Sequence, residues 1–362
     1  MKKVLFITNI PSPYRIDFFN DWGESVDLTV IFEGRRAPGL RFNWNEEKAK
    51  FNAIYLTQGE MNEKRINAKI FQYIKKGRYD YVFFSNYAFF TELAALIKAK
   101  IIKLPYILEI DGAVFKEEGG LKKAIKRFII SGAKNYFSPN ELTDQVLQSY
   151  GVERSKIIRY PFSSIRKSDI RKLPADKKEK SQLRKELGIQ EEKVVICVGQ
   201  FIHRKGVDLL IKAASRIPTD IGIYCIGGIP TEEYKQLVTK YSLNNIHFVG
   251  FQNNDTLKKY YDAADIFVLP TREDVWGLVV NEAMARGLPI ITTDNCGAGL
   301  ELVKGNGVIV HTESVNDLAK GINQCFADTD SLGKMAELSI EIIENYTIEK
   351  MAEKHTAYCI GT

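Results

Sequence analysis

Short apolar runs alternate along this chain with segments whose apolar residues recur every third or fourth position. "KVLFIT", "LTVIF", "YVFFS" and "YILEI" read as strands in the first half. "VVICVG", "IGIYCIG", "IHFVG", "IFVLP", "PIITT" and "GVIV" play that part in the second. Helical periodicity fills the intervals, as in Thr91–Ala99 and Val207–Ala214. Strands that are apolar without alternation are buried on both faces, so the pattern predicts parallel sheets covered by helices on either side. A basic, proline-containing stretch from about Ser163 to Glu192 breaks the rhythm. The expected division is a first domain over 1–165, a basic linker over 166–192 and a second domain over 193–344. A C-terminal helix over 345–362 is expected to complete the first domain. The predicted fold is therefore α/β, with two Rossmann-like doubly wound domains facing a central cleft. In such sheets ligands bind beyond the carboxyl ends of the strands, so the loops there are the candidates for chemistry.

Bulk properties narrow this picture. A chain of 362 residues is longer than one core usually supports. Its 45% hydrophobic and 27% charged content is that of an ordinary globular protein. No apolar run approaches the roughly 18 residues of a membrane span. "MKKVLFITNIPSPYR" begins like a signal peptide, but its short run ends at Asn9 and Pro11 without a small-x-small cleavage site, so a first strand is expected. Cys197, Cys225, Cys296, Cys325 and Cys359 are scattered and lack a C-x-x-C pair. They predict free thiols in a reducing cytosol, with neither a disulfide framework nor a zinc site. The four histidines are equally dispersed, and no metal site is expected. Of the net charge of +6, a surplus of +5 falls between Arg166 and Glu186, where nine Lys/Arg meet four Asp/Glu. Such a run is either a solvated surface or an attraction for an anionic partner, such as a phosphorylated substrate or a membrane surface. Nucleic acid is not expected, because no recognised binding motif accompanies the charge.

Two loops of the second half carry candidate chemistry. "VVICVG" runs directly into "QFIHRKGVDLLIKAA", a strand, a loop with Arg204-Lys205-Gly206, and an amphipathic helix. Helix N-terminal N–H groups and two cations suit a phosphate, or else mark a basic surface loop. The order is not that of a P-loop, since no Ser or Thr follows the Lys-Gly pair. Further on, "TREDVWGLVVNEAMARGLPII" spans Thr271 to Ile291. Its helix should begin near Gly277 and stop at Gly287, with Pro289 beyond. Asp274 then lies on the loop and Glu282 inside the helix. At the helical rise their separation is roughly 10–15 Å, the scale of a nucleotide sugar. One acid would hold sugar hydroxyls and the other the ribose, through strong charge-assisted hydrogen bonds. The plain alternative is a pair of surface acids, one favoured by the helix dipole.

The order of these motifs resembles the donor domain of retaining family-4 glycosyltransferases with the GT-B fold. That family carries a G-R-x-x-x-x-K-G loop, an E-x7-E motif and a later Gly-rich loop ending in Glu. This chain has "GQFIHRKG" (Gly199–Gly206), "EDVWGLVVNEAMARGLPII" (Glu273–Ile291) and "GAGLELV" (Gly297–Val303) in that order. "PSPYRIDFF" and "YPFSSI" resemble bacterial surface-polysaccharide members, of the capsule or O-antigen type. The resemblance implies that Lys205 neutralises the donor diphosphate, that Glu282 holds the ribose, and that Asp274 faces the transferred sugar. It also implies that the backbone of Gly297, Ala298, Gly299 and Leu300 wraps the diphosphate and sugar. Two departures stand out. Gln200 occupies the place of the second diphosphate-binding arginine, a charge that Arg204 could restore. Asp274 replaces the commoner glutamate, so Glu273 competes with it for the sugar-facing role.

In the first half, Asp111 of "PYILEIDGAVFKEEGG" falls where many members place an active-site histidine. It would orient the sugar or a substrate hydroxyl, or simply form an Asp-Gly turn. Glu109 lies on the same side by strand alternation. The first loop, "NIPSPYR", lacks G-x-G-x-x-G, which argues against a dinucleotide-dependent dehydrogenase. Arg15 there either reaches the cleft or is an exposed helix-start residue. "GGLKKAIKRFIISGAK" is a basic amphipathic helix, with Leu121, Ile125, Phe128 and Ile129 beside Lys122, Lys123, Lys126 and Arg127. It either packs on the sheet with snorkelling lysines or meets an anionic membrane. The resemblance implies a cytoplasmic, metal-independent enzyme, peripheral to the inner face of the cell membrane. It would move a sugar from a nucleotide-diphosphate donor, expected to be a UDP-sugar, to a saccharide or lipid-linked saccharide acceptor with retention. No further cofactor is expected. The alternatives are a GT-B-type nucleotide-sugar epimerase and a non-catalytic sugar-nucleotide-binding subunit.

Overall fold

The computed structural model describes residues 1–38, 49–85, 87–116 and 118–361. The chain forms two compact units, Met1–Ser164 with Thr347–Thr362, and Ile165–Tyr346. The first holds seven parallel strands: β1 Lys3–Thr8, β2 Asp27–Phe32, β3 Asn52–Tyr55, β4 Tyr81–Phe84, β5 Ile107–Glu109, β6 Asn135–Ser138 and β7 Ile157–Arg159. Their order is β3-β2-β1-β4-β5-β6-β7. Helices α1 Pro13–Gly23, α2 Phe90–Ile101, α3 Gly120–Ile130 and α4 Glu141–Ser149 connect them. Pro13 suits the start of α1, where no N–H partner is needed. The C-terminal helix Ile348–Ile360 returns to this unit. Its buried His355 packs edge-on to Phe18 and Trp22 of α1 and lies within 6 Å of the Phe83 and Phe137 rings. Truncating a buried ring such as Trp22 or Phe83 to alanine would cost about 3–5 kcal/mol.

Helix α3 does not pack its apolar face. Leu121, Ile125 and Phe128 are 79%, 52% and 62% exposed, and Ile130 is the buried member of the helix. The amphipathic pattern is as expected, but the sheet-packed reading of it is not what the chain adopts. Exposed Ile101 at the end of α2 adds to the apolar surface of this unit.

The second unit has six parallel strands: β8 Lys193–Val198, β9 Ile221–Ile226, β10 Ile246–Val249, β11 Ile266–Leu269, β12 Ile290–Thr293 and β13 Gly307–Val310. The order is β10-β9-β8-β11-β12-β13, the doubly wound arrangement. Because β8 lies between β9 and β11, the connections leaving β8 and β11 diverge at their carboxyl ends. That switch point brings together loops far apart in sequence. The stretch expected as a linker is built into this unit and contains α5, Lys177–Leu187. Lys180 and Arg184 both bond to Asp265 at 2.8 Å, and Arg184 also donates to the Ala263 carbonyl. Arg171 forms a two-pronged pair with Glu179. Part of the local +5 is therefore neutralised within the unit. The remaining helices are α6 Val207–Ala214, α7 Glu232–Lys240, α8 Asn254–Ala263, α9 Leu278–Ala285, α10 Gly297–Leu302, α11 Val315–Ala327 and α12 Thr329–Ile343.

Candidate active site

At the switch point of the second unit, Arg204 and Lys205 lie in a one-turn 3-10 segment, His203–Lys205, closed by Gly206. A side chain at Gly206 is excluded twice: its φ is +70°, and a Cβ would fall 1.9 Å from the Pro270 carbonyl. That close approach seats the loop after β8 against the loop after β11. Arg272 reinforces it, its N–H donating to the Arg204 carbonyl at 2.8 Å and its guanidinium gripping both oxygens of Asp208. The same guanidinium donates to the His203 carbonyl at 2.7 Å. The two arginine-bearing loops are thus held as one piece.

Lys205 Nζ bonds Asp274 Oδ2, and Arg204 lies 3.5 Å from Asp274 Oδ1. Arg204 also donates to the Glu273 carbonyl at 2.7 Å. Asp274 is held from behind: its N–H donates to Asn295 O, and its carbonyl accepts the Gly297 N–H at 3.0 Å. The Ala298 N–H donates to the Trp276 carbonyl, and the Leu300 N–H to Cys296. Gly297, Ala298, Gly299 and Leu300 open the short α10, and the N–H groups of the first two are engaged by the Asp274 segment. Gly299 leaves no room for a Cβ, which would meet Thr292 Cγ2 at 2.3 Å. Helix α9 begins after Gly277, whose φ of +99° turns the chain out of the loop. Half-buried Glu282 sits on α9 and accepts the buried Tyr261 hydroxyl at 3.2 Å. Burial and the neighbouring Glu282 hold that phenol well above its ordinary pKa. Gln200 is exposed, and its carbonyl accepts the Ile202 N–H. The structure therefore gathers Arg204, Lys205, Glu273, Asp274 and Gly297, while Glu282 stands on the adjoining helix.

The first unit has its own cluster at the ends of β1 and β5. Arg15 is buried, not exposed, and donates to Glu109 Oε1 at 2.6 Å and Asp111 Oδ1 at 2.5 Å. Rings of Phe6, Tyr14, Phe18 and Phe162 surround its guanidinium at 5.5–6.0 Å. Glu109 Oε2 meets His355 Nε2 at 2.7 Å, and His355 Nδ1 faces the Met351 carbonyl. A carbonyl only accepts, so Nδ1 carries a proton. Burial would raise the Glu109 carboxyl, but Arg15 and His355 outweigh it and hold it below its ordinary range. Asp111 goes the other way: burial raises it, Arg15 opposes, and the Glu109 charge raises it further. Its side chain keeps 34% exposure, and Oδ1 also accepts the Tyr160 hydroxyl at 3.2 Å. Asp111 thus presents a held carboxyl at the open end of the sheet.

Sequence reasoning missed His355, Tyr160, Tyr261 and Arg272. It also missed the buried acids Glu33 and Glu92. Thr91 donates to Glu33 at 2.8 Å, whereas neither oxygen of Glu92 has a hydrogen-bond partner among the described residues. Burial, with Glu33 nearby, pushes the Glu92 carboxyl well above its usual range. Among the described residues, no group of three or more His, Cys, Asp or Glu is placed to hold a metal ion, and no helix is long and apolar enough to cross a membrane. All five cysteines are free and buried.

Residues 179–341 match the family described as "Glycosyl transferases group 1". This segment is similar to the group 1 glycosyl transferases. The matched segment contains the whole Arg204–Lys205–Asp274–Glu282 arrangement. Among curated relatives, the chain is 32% identical over 193 residues to the lipopolysaccharide core biosynthesis mannosyltransferase LpsB of Rhizobium meliloti, covering 48% of this chain and 53% of that protein. It is 27% identical over 184 residues to the lipopolysaccharide glucosyltransferase WaaG of Escherichia coli, covering 44% and 49%. The matched segments thus span about half of these relatives. Solved structures resemble the full chain. Anabaena HepE in complex with UDP and glucose superposes with a TM-score of 0.79 at 17% identity, covering 100% of both chains. A WaaG structure gives 0.70 at 18% identity, covering 99% and 100%. The fold they share with this chain is GT-B.

Proposed function

We propose that this protein is a retaining glycosyltransferase that moves a sugar from a nucleotide-diphosphate donor to a saccharide acceptor in surface polysaccharide or lipopolysaccharide synthesis. The observation that carries the reading is the convergence of Lys205, Arg204 and Asp274 at the β8/β11 switch point of the second unit. Lys205 and Arg204 neutralise the charge that grows on the leaving diphosphate as the glycosidic bond breaks, so the reaction needs no metal. Glu282, steadied by Tyr261, takes the ribose hydroxyls. Asp274, with Glu273 beside it, meets the hydroxyls of the transferred sugar. Gln200 lines the loop without supplying charge, and the α10 start from Gly297 to Leu300 borders the diphosphate. The UDP in the HepE complexes supports a UDP-sugar as donor.

In the first unit, Asp111 orients an acceptor or sugar hydroxyl, with Arg15 and Glu109 holding it in place. The acceptor is lipid-linked, and the protein works on the cytoplasmic face of an anionic membrane. The exposed apolar face of α3, set beside Lys122, Lys123 and Arg127, supports that placement. A thermal-shift screen of UDP-, GDP- and ADP-sugars finds the donor, since stabilisation grows with ligand affinity. Turnover of that donor with lipid-linked and soluble saccharides then tests transfer. Stabilisation without turnover would mark a binding subunit, and release of an altered free sugar would mark an epimerase.

A further inference from the structure

We infer that Asp274 makes the site discriminate between a sugar-bearing diphosphate and a bare one, favouring donor over product. This rests on the donor-site reading above and adds to it a role for the Lys205–Asp274 ion pair. Lys205, the cation meant for the diphosphate, already has an internal counter-ion in Asp274. Both side chains are largely shielded, at 14% and 10% exposure, so water screens the pair weakly. The segment that carries this carboxylate is held in place. Its backbone is pinned on one side to Asn295 O and on the other to the Gly297 N–H, and it pairs with Cys296 as a parallel bridge. A phosphate that reaches Lys205 takes the lysine from Asp274 and then sits beside that negative charge.

The two ligands meet that charge differently. A nucleotide sugar brings hydroxyl donors that give Asp274 new hydrogen bonds in place of the lost lysine. Its terminal phosphate, being esterified, also carries less negative charge. A bare nucleoside diphosphate brings no hydroxyl to that spot and a more highly charged terminal phosphate. Asp274 consequently penalises the product and compensates itself only when a sugar is present. Product leaves more readily, and the resting site is protected from occupation by free nucleoside diphosphate.

The sign of this effect is its test. Asp274→Asn keeps the shape and removes the charge, so it should bind a nucleoside diphosphate more tightly than wild type, by roughly tenfold, the size of one charge-assisted contact. The same variant should bind the matching nucleotide sugar no better than wild type, so the preference for sugar-bearing ligand collapses. Calorimetry on the full chain would use UDP, GDP and ADP, each against UDP-glucose, GDP-mannose and ADP-glucose. Asp274→Ser gives the same sign should the amide disturb the fold. If one diphosphate binds wild type and neither variant binds it more tightly, the inference is wrong while the donor site stands. If none of the six ligands binds wild type, the donor-site reading itself fails and takes the inference with it.

Discussion

Removing the amine of Lys205 tests the phosphate assignment through a contact whose size can be worked from the structure. Lys205 bonds Asp274, and both side chains are less than one-sixth exposed. A hydrogen bond to a charged partner is worth about 1.5–3 kcal/mol, and this pair needs little discount for solvent. Lys205→Ala leaves Asp274 with Arg204 at 3.5 Å, so part of that loss is cushioned. Stability should fall by about 1–2 kcal/mol, and Tm by roughly 2–6 °C. Binding loses the same kind of contact to the diphosphate, but the wild type must first release Asp274, which the variant need not do. The net loss in nucleoside diphosphate affinity should therefore be about tenfold rather than hundredfold. Isothermal calorimetry on the folded variant, with its melt recorded in parallel, reads both quantities. A cooperative melt with unchanged diphosphate affinity would refute the assignment.

Other perturbations follow the same logic. Glu282→Gln should weaken nucleotide sugar and bare nucleoside diphosphate alike, by about tenfold, because both carry the ribose; an effect on the sugar donor alone would count against this role. Glu92 is buried, without a hydrogen-bond partner among the described residues, and raised, so the folded state holds its proton where the unfolded chain has lost it. Its contribution is complete below the unfolded value near 4.5 and is lost as pH rises through the folded one. Glu92→Gln should accordingly raise Tm at pH 8 and leave it nearly unchanged at pH 4, and an equal shift at both would reject the buried-acid argument. Replacing Leu121, Ile125 and Phe128 together with serine should reduce flotation with anionic vesicles at low and high salt. Replacing Lys122, Lys123 and Arg127 with Gln should reduce it mainly at low salt. A wild type that never floats removes the membrane placement.

Much of the fold was legible because parallel strands covered on both faces leave unbroken apolar runs. The strands that escaped were β3 "NAIY", β6 "NYFS" and β7 "IIR", each only three or four residues long. Two of them lie at sheet edges and are half-buried, so their composition carries little signal. For the candidate site, the sequence names residues but not the contacts between them. Lys205 and Asp274 are 69 positions apart, and it is the strand order that brings their loops together. His355 and Glu109 are 246 apart, and nothing local marks the C-terminal helix as Glu109's partner. Periodicity could not decide the fate of α3, since an apolar stripe looks the same whether it is packed or bare. The basic stretch after Arg166 misled for a related reason: its charges read as a linker, whereas Lys180 and Arg184 serve to dock α5 on Asp265.

The most direct test of the central claim is a mass balance on transfer. The full chain is incubated with the donor found by stabilisation and with a lipid-linked saccharide acceptor, and both products are quantified by mass spectrometry. A glycosyltransferase adds one sugar mass to the acceptor for each nucleoside diphosphate released, and Lys205→Ala slows both together. Consumption of the donor with no mass gained by any acceptor, and no dependence on Lys205, would contradict it.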